Sequence, residues 1–141
     1  MKAVDSPVPT IRLWNCLLVP IQGDVSDSAA DILQHTVLEA IRRDGARGLI
    51  LDISGMWLLD SHLCAVVARL ARSAMLMGTP TVLCGLRAEM ALTLQSMGVA
   101  FTDIKTTLSL EEALAHFGVV PQHTPSNAQP DPLALLLGES A

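Results

Sequence analysis

GLILDISGMWLLDSHLCAVVARLARSAMLMG, residues 48–78, is the stretch of this chain that decides its fold. Its first part, 48–52, is an apolar run that predicts a buried central strand, and Ser54-Gly55 predicts a turn after it. From Leu63 onward the apolar residues recur with the spacing of one helix face. They are Leu63, Val66, Val67, Leu70, Ala71, Ala74 and Met77. The order of strand, loop and helix therefore places Asp60 and Ser61 at a helix N-terminus, where backbone N–H groups and the helix dipole favour a phosphate.

The composition limits the classes of protein to which this chain can belong. Half of the 141 residues are hydrophobic and 16% are charged, which predicts one folded domain with a substantial core. The net charge of −5 argues against a broad nucleic-acid surface, which needs clustered Lys and Arg. Asp52, Asp60 and Arg69 interrupt the best candidate for a membrane span, and MKAVDSPVPT at 1–10 lacks the apolar core of a signal peptide. We therefore expect a cytoplasmic protein.

The cysteines and histidines predict neither a metal site nor a cofactor. Cys16, Cys64 and Cys84 stand in apolar contexts, which is typical of buried thiols, and the four histidines lack metal-ligand spacing. No GxSxG, phosphate-binding loop or dinucleotide fingerprint is present. Ser61 and His62 do not form a catalytic pair, because adjacent side chains on a helix diverge. The sequence therefore predicts that the protein is not an enzyme.

The periodicity along the chain predicts alternating strands and helices after an opening hairpin that turns at Trp14-Asn15. Pro20 suits a sheet edge or a strand end better than a central position. The alternation predicts an α/β fold, a single domain with a mixed four- to five-stranded sheet and about four helices. The predicted strands are 8–13, 16–21, 48–52, 81–84 and 101–105, and the predicted helices are 26–44, 61–77, 87–97 and 110–117.

The two ends of the chain differ in composition from its centre. Residues 1–7 predict a disordered N-terminus and 8–120 the folded domain. From 121 the sequence turns to Pro, Gln, Ser, Asn and Asp, which predicts a flexible Pro/polar tail at 121–141. The apolar run at 133–137 is interpreted as a weakly structured end, with a partner-binding peptide as the alternative.

Four segments resemble the STAS-domain family of anti-sigma-factor antagonists. They are LILDISGMWLLDS at 49–61, MG at 77–78, VLCGL at 82–86 and SMGV at 96–99. Within that family, IRLWNCLLVPIQ at 11–22 and CGLRAEMALTLQSMGV at 84–99 are similar to the RsbS-type scaffold proteins of the stressosome. The resemblance covers about 8–118 and implies the STAS fold.

The resemblance also implies a function, a phosphorylation switch on Ser61 in a bacterial stress-signalling complex. An RsbT-like serine kinase would be sequestered by the unmodified protein, would phosphorylate Ser61 and would then be released. RsbR-like STAS co-antagonists would share the homo- and hetero-oligomeric assembly, and an RsbX-like PP2C phosphatase would reset it. The implied partner-binding residues are Asp60, Ser61, His62, Ala65 and Arg69.

Two positions depart from the pattern of the family. His62 stands where a bulky apolar residue is expected, and Ala88 stands where many relatives have Pro. Both lie near the expected partner surface, so the choice of kinase can differ. Thr93 is a possible second phosphoacceptor, although a threonine within a helix is more often structural. Trp57 is either buried over the sheet or exposed as an interface anchor, and the sequence does not distinguish the two.

Other readings of the same residues remain open at the level of sequence. Ser61 is, in the simplest account, a cap or a first-turn residue of its helix, and Asp60 is an N-cap. The runner-up function is a STAS accessory subunit of a transporter or lipid-transfer complex. A small hydrolase that uses Ser61 would need a nearby base, which the sequence does not show.

Overall fold

The computed structural model describes residues 8–57, 59–96 and 104–119 of the chain. Strands and helices alternate after an opening hairpin, as the periodicity predicts. The strands are β1 (Ile11–Leu13), β2 (Cys16–Gly23), β3 (Gly48–Met56), β4 (Thr81–Cys84) and β5 (Lys105–Thr107). The helices are α1 (Asp27–Asp44), α2 (Ser61–Leu76), α3 (Ala88–Ser96) and α4 (Leu110–His116). The predicted α/β class with five strands and four helices is confirmed.

The strands form one mixed sheet in the order β1-β2-β3-β4-β5. β1 pairs antiparallel with β2, and every later pair is parallel. The carboxyl ends of β2 to β5 therefore meet along one side of the sheet, here called the carboxyl edge. The opposite side, which holds the β1–β2 turn and the start of β3, is here called the amino edge.

Alternate residues of each strand enter two separate cores, because successive side chains point to opposite faces of a sheet. Leu49, Leu51 and Ile53 of β3 pack under α1 and α2, whereas Ile50 packs on the other face with α4. The apolar stripe predicted for α2 is buried from Leu63 to Ala74. α4 has only seven residues, so on this second face of the sheet it packs mainly against β3, β4 and β5.

Polar caps fix the ends of the helices. The Ser26 hydroxyl accepts a hydrogen bond from the Ala29 N–H at the start of α1, and Gly45 ends α1 with a left-handed φ of 63°. At α4 the Ser109 hydroxyl accepts from the Glu112 N–H at 3.2 Å. The Glu112 carboxylate accepts in return from the Leu108 N–H at 3.1 Å, one residue earlier than in an ideal capping box. Ser26 and Ser109 are therefore the N-cap residues of α1 and α4.

Pro20 lies in β2, the second strand, rather than in an edge strand. β1 pairs only with Cys16–Leu18, so the side of β2 that faces β1 is open at the level of Pro20. The register with β3 also shifts between Pro20 and Gln22. On that side no strand is present to accept a hydrogen bond at this level. The missing N–H of Pro20 therefore costs no ladder hydrogen bond there, and the strand tolerates the proline.

The bounds of four strands differ from the prediction, and β2 ends at Gly23 rather than at 21. β1 is shorter than predicted and begins at Ile11. β3 continues through the predicted Ser54-Gly55 turn, because Gly55 pairs with Gln22 of the longer β2. Asp52 accepts hydrogen bonds from the backbone N–H and the hydroxyl of Ser54, which satisfies these polar groups inside the strand. The last strand, Lys105–Thr107, begins at the last residue of its predicted range and continues two residues beyond it.

Several smaller predictions are also corrected or lie outside the described residues. Met77 caps the end of α2 and is exposed, although the periodicity placed it on the core face. In α3, Met90 and Leu94 face the core and Ala91 faces solvent. The predictions for 1–7, 121–141, Met97 and 101–103 fall on residues that the structure does not describe. Within the described ranges, no helix is long and apolar enough to cross a membrane.

Candidate functional site

Ser61 is the first residue of α2 and lies at the carboxyl edge of the sheet. The β3–α2 connection carries it there, because β3 ends at Met56 and only a short loop precedes the helix. Its side chain is exposed, and its hydroxyl makes no hydrogen bond with any of the described residues. The hydroxyl is therefore open to a reagent that approaches from solvent.

Asp60 performs the capping task at this helix. Its extended backbone, with φ −84° and ψ 170°, stops the helix, and its Oδ1 accepts a hydrogen bond from the Leu63 N–H at 2.7 Å. The Asp60 carbonyl accepts from the Cys64 N–H at 3.0 Å. The interpretation of Asp60 as an N-cap is confirmed, and Ser61 is a first-turn residue whose side chain has no capping task.

His62 does not point outward as the predicted partner face requires. Its side chain is only 37% exposed and extends toward the first turns of α1. Its Nε2 lies 3.6 Å from Oδ1 of Asp31 and 4.0 Å from Oδ1 of Asp27. This nitrogen is buried and makes no hydrogen bond among the described residues. His62 therefore contacts α1 with its polar end, and it brings the α1 carboxylates beside the start of α2.

The outer face of α2 is exposed along its whole length. Ala65 and Arg69 follow Ser61 at intervals of four residues, and both are exposed as predicted. Leu76 at the end of the same face is 90% exposed. Four of the five proposed partner-binding residues are thus exposed at this helix, namely Asp60, Ser61, Ala65 and Arg69. The fifth, His62, extends toward α1 instead.

Trp57 is exposed, which decides the alternative that the sequence left open. Its side chain is 79% exposed at the carboxyl edge, and it lines a groove with Leu59, Met90 and Thr93. The Thr93 hydroxyl donates to the Glu89 carbonyl at 2.9 Å, so it is engaged within its own helix. This contact is typical of the structural role of a threonine in a helix.

Arg87 is a site residue that the sequence analysis missed. Its guanidinium donates to the carbonyl oxygens of Met56 at 2.5 Å and Trp57 at 3.5 Å, across 31 and 30 residues of sequence. This contact holds the loop before Ser61 against the β4–α3 connection. The available signal was position alone, because Arg87 is the single basic residue between Arg72 and Lys105 and lies three residues after the end of a predicted strand.

The thiols near the site are unsuited to nucleophilic chemistry. Burial raises the pKa of Cys64 to about 11, with the charge of the nearby Asp60 as a smaller cause. Burial also raises the pKa of Cys84 to about 12, with the charge of Asp52 as a smaller cause. Because the thiolate is the reactive form, both side chains are inert near neutral pH. Within the described part of the chain, His, Cys, Asp and Glu form no cluster of three that would hold a metal ion.

Comparison with known proteins agrees with this architecture. The RsbT co-antagonist protein RsbRD of Bacillus subtilis (strain 168) is 32% identical over 101 residues, which are 72% of this chain and 36% of that protein. The chain therefore spans little more than a third of that relative's length.

Two solved structures share the fold at similar identity. RsbS of Moorella thermoacetica with a serine-to-glutamate substitution superposes with a TM-score of 0.73 and 28% identity, over 80% of this chain and 96% of that one. A chain of the stressosome, described as a signal integration and transduction hub, gives a TM-score of 0.68 and 26% identity, over 78% of this chain and 96% of that one. Residues 9–113 match the STAS domain. The chain therefore belongs to the STAS domain family.

Proposed function

We propose that this protein is a non-enzymatic scaffold of a stress-signalling complex whose binding of a serine kinase is switched by phosphorylation of Ser61. The observation that carries the proposal is the division of tasks at the start of α2. Asp60 caps the helix, and the adjacent Ser61 hydroxyl is exposed and makes no hydrogen bond with the described residues. A kinase can therefore phosphorylate this hydroxyl without breaking any hydrogen bond among the described residues.

The charges around Ser61 give the switch its physical mechanism. A phosphate adds about −1.5 to −2 charge at pH 7. The N-terminus of α2 tolerates this charge, because its dipole and free N–H groups favour anions. Asp60 precedes Ser61 directly, and Asp31 lies on the facing turn of α1 beside His62. A protein packed against Ser61 would then meet a desolvated dianion among carboxylates, and binding would weaken by local repulsion rather than by refolding.

The names of the relatives support the choice of partners. Several Bacillus subtilis relatives are RsbT co-antagonists, and RsbS and a stressosome chain share the fold at 26–28% identity. We therefore propose an RsbT-like serine kinase as the captured protein and RsbR-like STAS proteins as members of the same assembly. An RsbX-like PP2C phosphatase would reverse the modification.

Phosphorylation with the cognate kinase tests the acceptor directly. We expect incubation with kinase and ATP, followed by peptide mass mapping, to place one phosphate on Ser61. The variant Ser61→Ala should remain unlabelled, and Thr93→Ala should be labelled like the wild type because its hydroxyl is bonded within α3. Label on another residue, with none on Ser61, would refute the proposed acceptor.

A capture experiment tests the repulsion mechanism separately. We expect Ser61→Asp to lower the amount of kinase retained on immobilised protein by roughly tenfold or more, because a buried like-charge contact costs several kcal/mol. Ser96→Asp is the matched control, since it adds the same charge to an exposed serine at the end of α3. Equal retention by wild type and Ser61→Asp would count against the mechanism.

The runner-up function, a subunit of a transporter or lipid-transfer complex, has no observation of its own in the described residues. Copurification separates the two proposals, because a kinase is expected in one case and a permease or an ATPase in the other. A serine hydrolase would react with a fluorophosphonate at Ser61, and we expect no such labelling because no described base contacts the hydroxyl.

A further inference from the structure

The two edges of the sheet carry charges of opposite sign. Four of the nine basic residues lie at the amino edge, and a group of aspartates lies at the carboxyl edge. The basic residues are Arg12, Arg42, Arg43 and Arg47, and the aspartates are Asp24, Asp27, Asp31, Asp52 and Asp60. Arg42 and Arg43 are paired with Glu39 and Asp44 of their own helix. Arg12 interacts electrostatically with Asp44. Arg47 forms no ion pair within the described part of the chain, so it is available to an external carboxylate.

A cavity of about 570 Å³ opens beside Arg47. It is lined by Trp14, Asn15, Cys16, Arg47, Phe117, Gly118 and Val119, and it is here called the amino-edge cavity. Phe117 sits where a side chain on Gly48 would be, with ring atoms 2.7 Å from the position of a Cβ. The Arg47 N–H donates to the Asn15 carbonyl at 2.8 Å and ties the hairpin turn to β3. The walls of the cavity are therefore fixed by packing and by a backbone hydrogen bond.

Trp14 lines this cavity, and its backbone conformation is unfavourable for a bulky residue. Its φ of 53° is left-handed, which is unusual for a bulky residue, and its side chain is 66% exposed. The Arg12 Nε donates to its carbonyl at 3.4 Å. An exposed indole next to two cations is the kind of surface on which aromatic and acidic groups of a protein dock.

The carboxyl edge presents the complementary shape. Trp57 is 79% exposed, and Arg87 holds its backbone from behind. Arg87 and Glu89 line the same groove as Trp57, and the Glu89 carboxylate forms no ion pair among the described residues. Trp57 with Glu89 is here called the knob. It is an exposed indole near one unpaired acid, with Arg87 hydrogen-bonded to the backbone beside it, whereas the amino-edge cavity is an opening next to an unpaired base.

We propose that the knob of one copy of this protein inserts into the amino-edge cavity of a second copy, with Glu89 facing Arg47. An indole fits easily into this volume, and its contact with Trp14 and Phe117 buries aromatic surface on both sides. The contact joins two different surfaces, so it is heterologous and each copy keeps one free knob and one free cavity. It needs no phosphorylation and goes beyond the switch proposed above.

A mixing experiment tests this arrangement. Trp57→Ala removes the indole of the knob and leaves the cavity intact. Arg47→Glu reverses the charge at the cavity and leaves the knob intact. Sedimentation equilibrium up to about 1 mM should show self-association of the wild type and at least a roughly tenfold loss for each variant alone. An equimolar mixture of the two variants should form a discrete 1:1 dimer, because one intact knob and one intact cavity remain.

The controls change the same chemistry elsewhere on the surface. Leu76→Ala removes an exposed apolar side chain at the far end of α2, and Arg43→Glu reverses a charge at the amino edge outside the cavity. Both should associate like the wild type. The double variant Arg47→Glu, Glu89→Arg restores opposite charges and should recover association. A monomeric wild type, or a mixture without the 1:1 dimer, would overturn the proposal whether or not Ser61 is phosphorylated.

Discussion

Asp60 and Ser61 are neighbours at the start of α2, yet their side chains have separate tasks. Asp60 satisfies a backbone N–H of the first turn, at 2.7 Å, and Ser61 extends into solvent. A serine that also capped the helix would lose that hydrogen bond when it was phosphorylated. Separation of the two tasks therefore allows modification at a low cost to the fold.

The variant Asp60→Ala should lower the free energy of unfolding by about 1 kcal/mol, because the Leu63 N–H loses its acceptor. Asp60→Ser is the matched variant, since serine is a comparable N-cap residue and should retain most of the stability. Urea denaturation measures both. If the two variants unfold at the same midpoint, the capping role of the side chain is wrong.

Cys64 makes a pH-dependent contribution to stability. Burial raises its pKa from 9.0 to about 11, so the folded protein disfavours the thiolate that the unfolded chain can form. The contribution is complete below pH 9 and is lost as the pH rises through about 11. Urea midpoints should therefore fall more steeply between pH 9 and pH 11 in the wild type than in Cys64→Ala. Parallel curves for the two proteins would contradict the raised pKa.

At the scale of elements, the carboxyl edge is shaped by close contact between β3 and the end of β4. Gly85 follows β4 with a φ of 83°, and a Cβ there would lie 2.6–2.8 Å from atoms of Ser54, including its backbone N and Cα. Only glycine permits both the left-handed backbone and this approach. The contact positions the β4–α3 connection, from which Arg87 reaches the loop before Ser61.

Gly85→Ala should therefore destabilise the protein by about 2–5 kcal/mol, from left-handed strain and overpacking together. Gly78→Ala is the control for strain alone, since its φ is 85° and a Cβ there would meet nothing within 4 Å. We expect about 1–2 kcal/mol for this variant. Equal losses in chemical denaturation would show that the contact with Ser54 is unimportant.

The two faces of α2 show how one helix contributes to both the core and the surface. Leu70 is fully buried between the sheet and α1, whereas Leu76 is 90% exposed on the outer face. The same residue type therefore stabilises the fold at one position and is available for contact at the other. Periodicity separates the two positions, because the core-facing residues recur every three or four residues.

At the scale of the whole molecule, the switch should act on binding and leave the fold unchanged. Ser61→Asp places a negative charge at a helix N-terminus, which is favourable, next to Asp60, which is unfavourable. We expect the free energy of unfolding to stay within about 0.5 kcal/mol of the wild type and the circular dichroism spectrum to match it. A large loss of either, measured at the same protein concentration, would favour a refolding mechanism instead.

Local patterns of the sequence were sufficient to predict the class of fold and the position of the candidate site. The apolar periodicity of α2, the N-cap at Asp60 and the strand at Thr81–Cys84 are all found as predicted. Each depends on residues within a few positions of one another, where the geometry of the backbone fixes which side chains are neighbours.

Only the tertiary structure decided what faces what across distant parts of the chain. It turned His62 toward Asp31, exposed Trp57 and brought Arg87 to the carbonyl of Met56. It also extended β3 through Ser54 and Gly55 by pairing it with β2. These contacts join residues about 30 positions apart, and no local pattern specifies them. The sequence by itself therefore determined the helix, its cap and the serine beside it, whereas packing between elements decided the surface around that serine.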